Sequence, residues 1–159
     1  MLPAVGFYEW HLHPDGRKQP FYIHLADQEL FCFAALWDSS RRDDGTQILS
    51  CALLTMQGNE FMRELHNTGA HPFRMPAILA REDMYRWLHG STEDARRALK
   101  IYPADLMSAY PVSTRVNDPK NDDATLLWPV AQDGAQPGTP AVGEDCSPDE
   151  PEPENLSLF

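Results

Sequence analysis

The chain has 159 residues, a formal net charge of −11, and 42% hydrophobic residues. This length and apolar content fit one globular domain with a tail and exclude a wholly disordered chain. Residues 131–159 contain seven acidic residues and no basic one, which leaves a formal charge of only −4 on residues 1–130. Nucleic-acid binding depends on basic side chains. Because residues 1–130 are only weakly acidic, they can still form a basic groove, and the net charge does not exclude such binding.

The cysteines and the apolar stretches limit the setting in which the protein works. Cys32, Cys51 and Cys146 are odd in number and not spaced as CxxC, which argues against a disulfide framework or a cysteine-rich zinc site. No stretch is long and apolar enough to cross a bilayer, and the first residues lack the pattern of a signal peptide. We therefore expect a soluble cytoplasmic protein with no membrane partner.

The first forty residues predict three strands in an antiparallel meander. Their apolar and aromatic residues alternate with the period of two that is typical of strands. Turn-forming residues separate the runs at Pro14-Asp15-Gly16 and at Ala26-Asp27-Gln28. The three runs are VGFYEWHLH, PFYIHLA and ELFCFAALW.

The next segments predict a loop, a buried strand and a short helix. DSSRRDDGTQ is polar and charged, which is typical of a loop. ILSCALLTM is a continuous apolar run of strand length, which predicts a central strand buried on both faces. NEFMRELHN has helical spacing with Asn59 as its N-cap, so His66 is expected at the helix end.

The second half of the body predicts two more strands and two more helices. The helices are REDMYRWLHG and STEDARRALK, the latter capped by Ser91. The strands are residues 74–79 and 106–112. Mixed strands and helices in this order predict an α+β fold, mainly an antiparallel sheet with short flanking helices.

The domain boundary is expected at residue 130. From residue 131 onward the composition changes to Pro, Gly and acidic residues, which bury too little apolar surface to offset chain entropy. We therefore expect one domain over residues 1–130 and a disordered acidic tail over residues 131–159.

Two residues are candidates for acid–base chemistry. Glu9 lies between aromatic residues on a predicted strand, where burial would raise the pKa of a carboxyl and let it act as a general acid. The alternative is a solvent-facing Glu9 that pairs with Arg17 or Lys18. His66 follows a helix, and an imidazole there can take or give a proton near neutral pH, although a lone histidine is more often structural.

Histidines near the amino terminus raise the question of a metal site. His11 and His13 share one face of a predicted strand, and a hairpin could bring His24 toward them from the next strand. No fourth ligand is evident nearby, so water-facing histidines are the preferred interpretation, and we expect neither a metal nor another cofactor.

The arginines are candidates for phosphate contacts, because guanidinium binds phosphate in a bidentate manner and nearby aromatic side chains stack on bases. Arg86, Arg96 and Arg97 lie among acidic residues at helical spacing, which is typical of a solvated helix face. Arg74 and Arg115 occur in strand and loop segments and are the stronger candidates.

Three ordered motifs together resemble one known family, the SOS-response-associated peptidases (SRAP). The combination is far more specific than any single motif, and it covers about 120 residues. The motifs are GFYEW at residues 6–10, LHN at 65–67 before RMPAIL at 74–79, and PVS at 111–113 followed by VN at 116–117 and ND at 121–122.

The resemblance implies a function. Members of this family capture abasic sites in single-stranded DNA, where an amino-terminal cysteine forms a thiazolidine with the opened sugar. The positions that match Glu9 and His66 are implied to transfer protons, and Trp10, Arg74 and Arg115 are then expected to contact DNA. The peptidase name refers to removal of the initiator methionine, and an SRAP-like fold implies a partial barrel. Such a protein would work in the cytoplasm and associate with the nucleoid during DNA damage.

The chain departs from the family pattern at its start. Residue 2 is Leu2, and neither the family's MCGR opening nor its NARxET segment has a counterpart. We therefore expect an amino-terminally truncated member that lacks the family's first half, so that its cross-linking, autopeptidase and lyase-like chemistry is impaired. The alternative is an inactive fragment, or one half of a split protein, that binds single-stranded DNA or a complementing chain without chemistry. Residues 68–73 also lengthen the segment between His66 and Arg74.

Overall fold

A computed structural model describes residues 1–131 and shows an α+β protein of small, mostly antiparallel sheets with three short α-helices, as the sequence predicts. None of the sheets in this described part closes into a barrel. The helices are α1 (Glu60–Leu65), α2 (Met84–His89) and α3 (Thr92–Ala98). The strands are β1 (Leu2–Ala4), β2 (Phe7–Leu12), β3 (Lys18–Leu25), β4 (Phe31–Phe33), β5 (Ala35–Arg41), β6 (Gln47–Leu53), β7 (Thr55–Gln57), β8 (Arg74–Pro76), β9 (Ile78–Leu79) and β10 (Met107–Pro111).

The first predicted hairpin is confirmed. Strands β2 and β3 pair in antiparallel fashion, and β10 adds to the other side of β3. The turn between β2 and β3 closes where His13 N–H donates to the Arg17 carbonyl, and Gly16 adopts the positive φ that glycine tolerates without strain. This register sets Glu9 opposite Phe21, in line with Pro111 of β10.

The prediction that a third strand continues this meander is wrong. The run that contains Phe31 and Phe33 pairs with β1 on one side and β9 on the other, not with β3. Phe31 is fully buried, and the Phe33 ring packs edge-on against Phe7 at 5.6 Å between ring centroids. The aromatic residues of β4 therefore fill the core from a second sheet instead of extending the first.

The segment from residue 35 to residue 53 also differs from its prediction. Residues 38–41 of the polar stretch predicted as a loop belong to β5, and only residues 42–46 form the turn that connects it to β6. The two strands pair in a long hairpin with Trp37 opposite Cys51. The apolar run predicted as one doubly buried strand, residues 48–56, is divided between β6 and β7, and Leu49 within it is 70% exposed. A continuous apolar run predicts that a strand is buried, but it does not identify the residues that would bury it.

The main core lies between the sheets and helix α1. Phe31, Ile23 and Met62 are fully buried there, and they belong respectively to β4, β3 and α1. Each fully buried side chain of this size contributes about 1.5–3 kcal/mol relative to exposure. This packing holds the end of α1 against the β2–β3 hairpin, which determines where the site forms.

The three predicted helices are confirmed, and their caps agree with the sequence signals. The Asn59 side chain accepts from Met62 N–H and begins α1, which ends at His66. Ser91 and Asp94 form a reciprocal capping box at the start of α3. Capping depends on a few adjacent residues, so it can be predicted without knowledge of the rest of the fold.

A buried carboxylate joins helix α2 to the segment after α3. The Asp83 side chain is fully buried and accepts from Lys100 Nζ at 2.6 Å and from Arg86 Nη1 at 3.3 Å. The hydrogen bond from Lys100 holds the pKa of Asp83 below its usual range, against the effect of burial. Because the folded state favours the ionised form, this stabilisation is present above the pKa of an unfolded Asp and is lost as the pH falls through the lowered pKa.

We predict that Asp83→Asn lowers the melting temperature near neutral pH, since the amide removes the charge that pairs with Lys100 and Arg86. The difference from the wild type should narrow as the pH falls toward the acid range. Thermal denaturation followed by circular dichroism at several pH values measures both effects, and a difference that stays constant with pH would contradict this role.

No helix within residues 1–131 is long and apolar enough to cross a membrane. The predicted disordered tail begins at residue 131, and its residues 132–159 lie outside the described residues.

Candidate active site at the β2 edge

A carboxyl and an imidazole from distant parts of the chain meet beside strand β2. Glu9 lies on β2 and His66 is the C-cap of α1. Glu9 Oε2 and His66 Nε2 are 4.0 Å apart, and both side chains are about four-fifths buried. The two residues that the sequence marks for acid–base chemistry therefore form a pair.

The hydrogen bonds of His66 determine the role of each ring nitrogen. Its Nδ1 is 2.9 Å from the Arg74 carbonyl oxygen. A carbonyl only accepts, so Nδ1 carries the hydrogen, and Nε2 is the nitrogen that faces Glu9. The backbone holds the residue on both sides, because His66 N–H donates to the Met62 carbonyl and the His66 carbonyl accepts from Phe73 N–H.

Burial is the main influence on Glu9. It raises the pKa of the carboxyl, while the nearby His66 and the backbone N–H of Trp10 oppose that shift by favouring the ionised form. A carboxyl with a raised pKa keeps its proton closer to neutral pH than an exposed glutamate does. The alternative of pairing with Arg17 is not what the fold shows, since Arg17 pairs with Asp15 at 2.7 Å.

Two cavities, of about 420 and 280 Å³, lie beside this pair. Both are lined by Glu9 and His66. The larger is also lined by Trp10, Lys18, Thr68 and Asn117, and the smaller by Leu53, Thr55, His71, Arg74, Met75 and Pro76. A space of this size accepts a sugar and its neighbouring groups.

Trp10 and Arg74, both predicted to bind DNA, lie at the cavities. Trp10 Nε1–H donates to Asn117 Oδ1 at 2.7 Å, so the loop after β10 orients the indole. The Arg74 guanidinium donates to the Thr55 hydroxyl. Arg115 does not line either cavity, and its guanidinium pairs with Asp123 at 2.8 Å.

Several residues of the site were missed by the sequence predictions. Asn67 holds the outer edge of β2, accepting from Leu12 N–H at 2.8 Å and donating to the Leu12 carbonyl at 3.0 Å. Lys18, Asn117 and His71 line the cavities. The LHN and VN motifs contain Asn67 and Asn117, which was the available signal. From the sequence, Lys18 was considered only as an ion-pair partner of Glu9, and His71 gave no signal.

The three histidines considered as metal ligands do not assemble. The rings of His11 and His13 are in contact, with centroids 4.9 Å apart. His24 lies toward the other end of the sheet, opposite Ser108 and stacked on Tyr22. Within residues 1–131 no group of three or more histidine, cysteine or acidic side chains is placed to hold a metal ion.

Comparison with known proteins defines the class. The model of the SOS response associated peptidase (SRAP) family matches residues 1–119, so the chain belongs to the SRAP family. It is 38% identical to the abasic site processing protein YoaM of Bacillus subtilis and 32% identical to the abasic site processing protein HMCES of Gallus gallus, over 80% of this chain in each case. A crystal structure of a Bacteroides thetaiotaomicron protein superposes with a TM-score of 0.72 at 28% identity over 81% of this chain.

The match is partial on the side of the relatives. The chain spans 55% of the Bacillus protein, 42% of the chicken protein and 55% of the Bacteroides chain. Whatever the remaining parts of those proteins contribute to their activity lies outside the region they share with this chain.

Proposed function

We propose that this chain binds single-stranded DNA at an abasic site and opens the damaged sugar by proton transfer through Glu9 and His66. The pair itself carries the proposal, because a carboxyl with a raised pKa lies 4.0 Å from an imidazole nitrogen in a cavity that accepts a sugar. Opening the ring delivers a proton to the ring oxygen and removes one from the C1′ hydroxyl. An acid and a base side by side suit that exchange.

The substrate class follows from the relatives. The Bacillus and chicken proteins are both abasic site processing proteins, and the family model matches residues 1–119, a range that includes Glu9 and His66. With a DNA substrate, we propose that the chain works in the cytoplasm and associates with the nucleoid during DNA damage.

The DNA contacts are assigned by position. We propose that Arg74 binds a phosphate beside the abasic sugar and that Trp10 packs on the flanking nucleotide. Arg115 contributes less, because Asp123 already neutralises its charge. Its carbonyl accepts from the Asn121 side chain, so it supports the loop that contains Asn117.

Formation of a cysteine cross-link requires more than the Glu9–His66 pair. A thiazolidine needs an amine and a thiol on the same residue, and no cysteine lines either cavity in the described part of the chain. We therefore propose that cross-link formation through a cysteine, its reversal and any peptidase activity depend on a segment that is not among residues 1–131.

The test is to compare the affinities of the chain for three short single strands by fluorescence anisotropy. One contains an abasic site, one a tetrahydrofuran analogue that cannot open, and one is intact. We expect the abasic strand to bind about tenfold more tightly than the intact one, with an affinity that falls steeply as salt rises. Equal affinity for the abasic and intact strands would contradict the proposal.

A second candidate function, binding of a complementing polypeptide, is favoured by the β5–β6 hairpin. Trp37 and Leu49 lie on one face of this hairpin, 76% and 70% exposed, and Leu53 on the same face lines the smaller cavity. A two-stranded hairpin with exposed apolar residues is marginal by itself. We propose that a polypeptide equivalent to the unmatched part of the relatives covers this face, next to the site.

We predict that Leu49→Lys weakens binding of that polypeptide by at least about tenfold, because a charge would have to be buried. The unmatched part of the Bacillus protein, added to the full chain in a calorimetric titration, measures the effect. Leu88→Lys, at an exposed position on α2, is the control. Equal binding by both variants would mean that the hairpin face is not the docking surface.

A further inference from the structure

We propose that Lys18 is a second nucleophile of this site, whose Nζ forms an imine with the opened abasic sugar without any cysteine. This inference rests on the proposed function, because it needs the abasic sugar in the cavity. It goes beyond that function by giving the chain covalent chemistry of its own.

The β2–β3 register brings Lys18 to the cavity. It is the first residue of β3 and pairs with Leu12, the last residue of β2. The other edge of Leu12 is held by the Asn67 side chain, directly after His66. The turn end of the hairpin is thus tied to the residue that follows His66, and Lys18 lines the same 420 Å³ cavity as Glu9 and His66.

The other lysines are placed differently. The chain has only three, Lys18, Lys100 and Lys120. Lys100 donates to the buried Asp83, and Lys120 lies in a turn that lines neither cavity of the site. No carboxylate within residues 1–131 forms an ion pair with Lys18. Lys18 is therefore the one lysine whose amine is free to meet an aldehyde beside the Glu9–His66 pair.

The first stage forms the imine. Once the sugar has opened, the Lys18 ammonium gives a proton to the Glu9 carboxylate or to His66 Nε2, and the neutral amine adds to the C1′ aldehyde. A new C–N bond forms while the carbonyl oxygen takes up a proton. Loss of that oxygen as water then leaves the imine.

The second stage cleaves the strand. Glu9 or His66 removes a proton from C2′, which converts the protonated imine into an enamine. The electron pair of the enamine then forms the C2′–C3′ double bond and breaks the C3′–O bond, and the downstream strand leaves with that oxygen as its 5′ phosphate. Water then hydrolyses the imine and restores the Lys18 amine. No oxidant or reductant takes part, so the atoms and electrons balance with water alone.

The experiment incubates the full 159-residue chain with a single strand containing one abasic site, in the presence of borohydride, which reduces the imine to a stable amine. Denaturing gels measure the trapped complex, and mass spectrometry of its peptides locates the sugar. We expect the adduct on Lys18. Lys18→Gln and Lys18→Arg should each lower trapping by at least about tenfold, whereas Lys120→Gln should match the wild type.

The arginine variant separates chemistry from binding. It keeps the positive charge, so its affinity for the abasic strand should stay within about threefold of the wild type while trapping is lost. An adduct on the Met1 amine, on Lys100 or on Lys120 would overturn the assignment to Lys18, as would the absence of any adduct from a chain that binds the abasic strand selectively. A chain without that selectivity would contradict the proposed function together with this inference.

Discussion

Glu9→Gln is expected to slow opening of the abasic sugar by about 100-fold or more, because the amide keeps the shape of the carboxyl but cannot transfer a proton. The rate is measured by adding a small alkoxyamine, which traps the aldehyde as an oxime that is visible on a denaturing gel. This readout needs no nucleophile from the protein. It therefore reports on proton transfer alone, whatever Lys18 does.

The dependence of this rate on pH follows from the raised pKa of Glu9. The wild-type rate should fall as the pH rises through the raised pKa of the carboxyl, since the acid form is then lost, and the residual rate of Glu9→Gln should lack that step. Glu64→Gln, at an exposed position on helix α1, is the matched control and should leave the rate unchanged. A Glu9→Gln rate within about twofold of the wild type would remove Glu9 from the mechanism.

His66→Gln is expected to cause a loss of similar size, about 100-fold, because Nε2 is the group that exchanges a proton beside Glu9. The same oxime assay measures it, with His89→Gln on helix α2 as the control. The double variant of Glu9 and His66 should be only a few times slower than either single variant, since residues that act as a unit have strongly non-additive effects.

The double variant also offers the clearest contradiction. If its loss equals the product of the two single losses, the two groups act independently, and the 4.0 Å contact between them has no catalytic meaning. DNA affinity should be measured on each variant, because a loss of binding would imitate a loss of proton transfer.

Local signals account for the parts of the fold that could be predicted. The Asn59 and Ser91 caps and the turn before β3 each depend on a few adjacent residues, and all three agree with the structure. The β5–β6 hairpin could not be predicted in the same way. Its apolar run predicts burial, but Leu49 is 70% exposed among residues 1–131, so the pattern did not predict the environment of this strand.

The site shows a different limit. Motif resemblance singled out Glu9 and His66, but their approach depends on how helix α1 packs on strand β2, which no local pattern encodes. Lys18 was missed for a related reason. Its place in the cavity follows from the register of β3 against β2 and from the Asn67 bridge to Leu12, and each of these is visible only in three dimensions.

The most direct test of the account is the response of the indole resonances when a short abasic strand is added to the full chain. The chain has four tryptophans, Trp10, Trp37, Trp87 and Trp128, so a nitrogen–proton correlation spectrum contains four assignable indole signals. Trp10 Nε1–H donates a hydrogen bond to Asn117 Oδ1, and both residues line the larger cavity. The indole signal of Trp10 is therefore predicted to shift, while that of Trp128 stays in place. A stationary Trp10 signal alongside a shift of another indole would place the DNA elsewhere and contradict the assignment of the site.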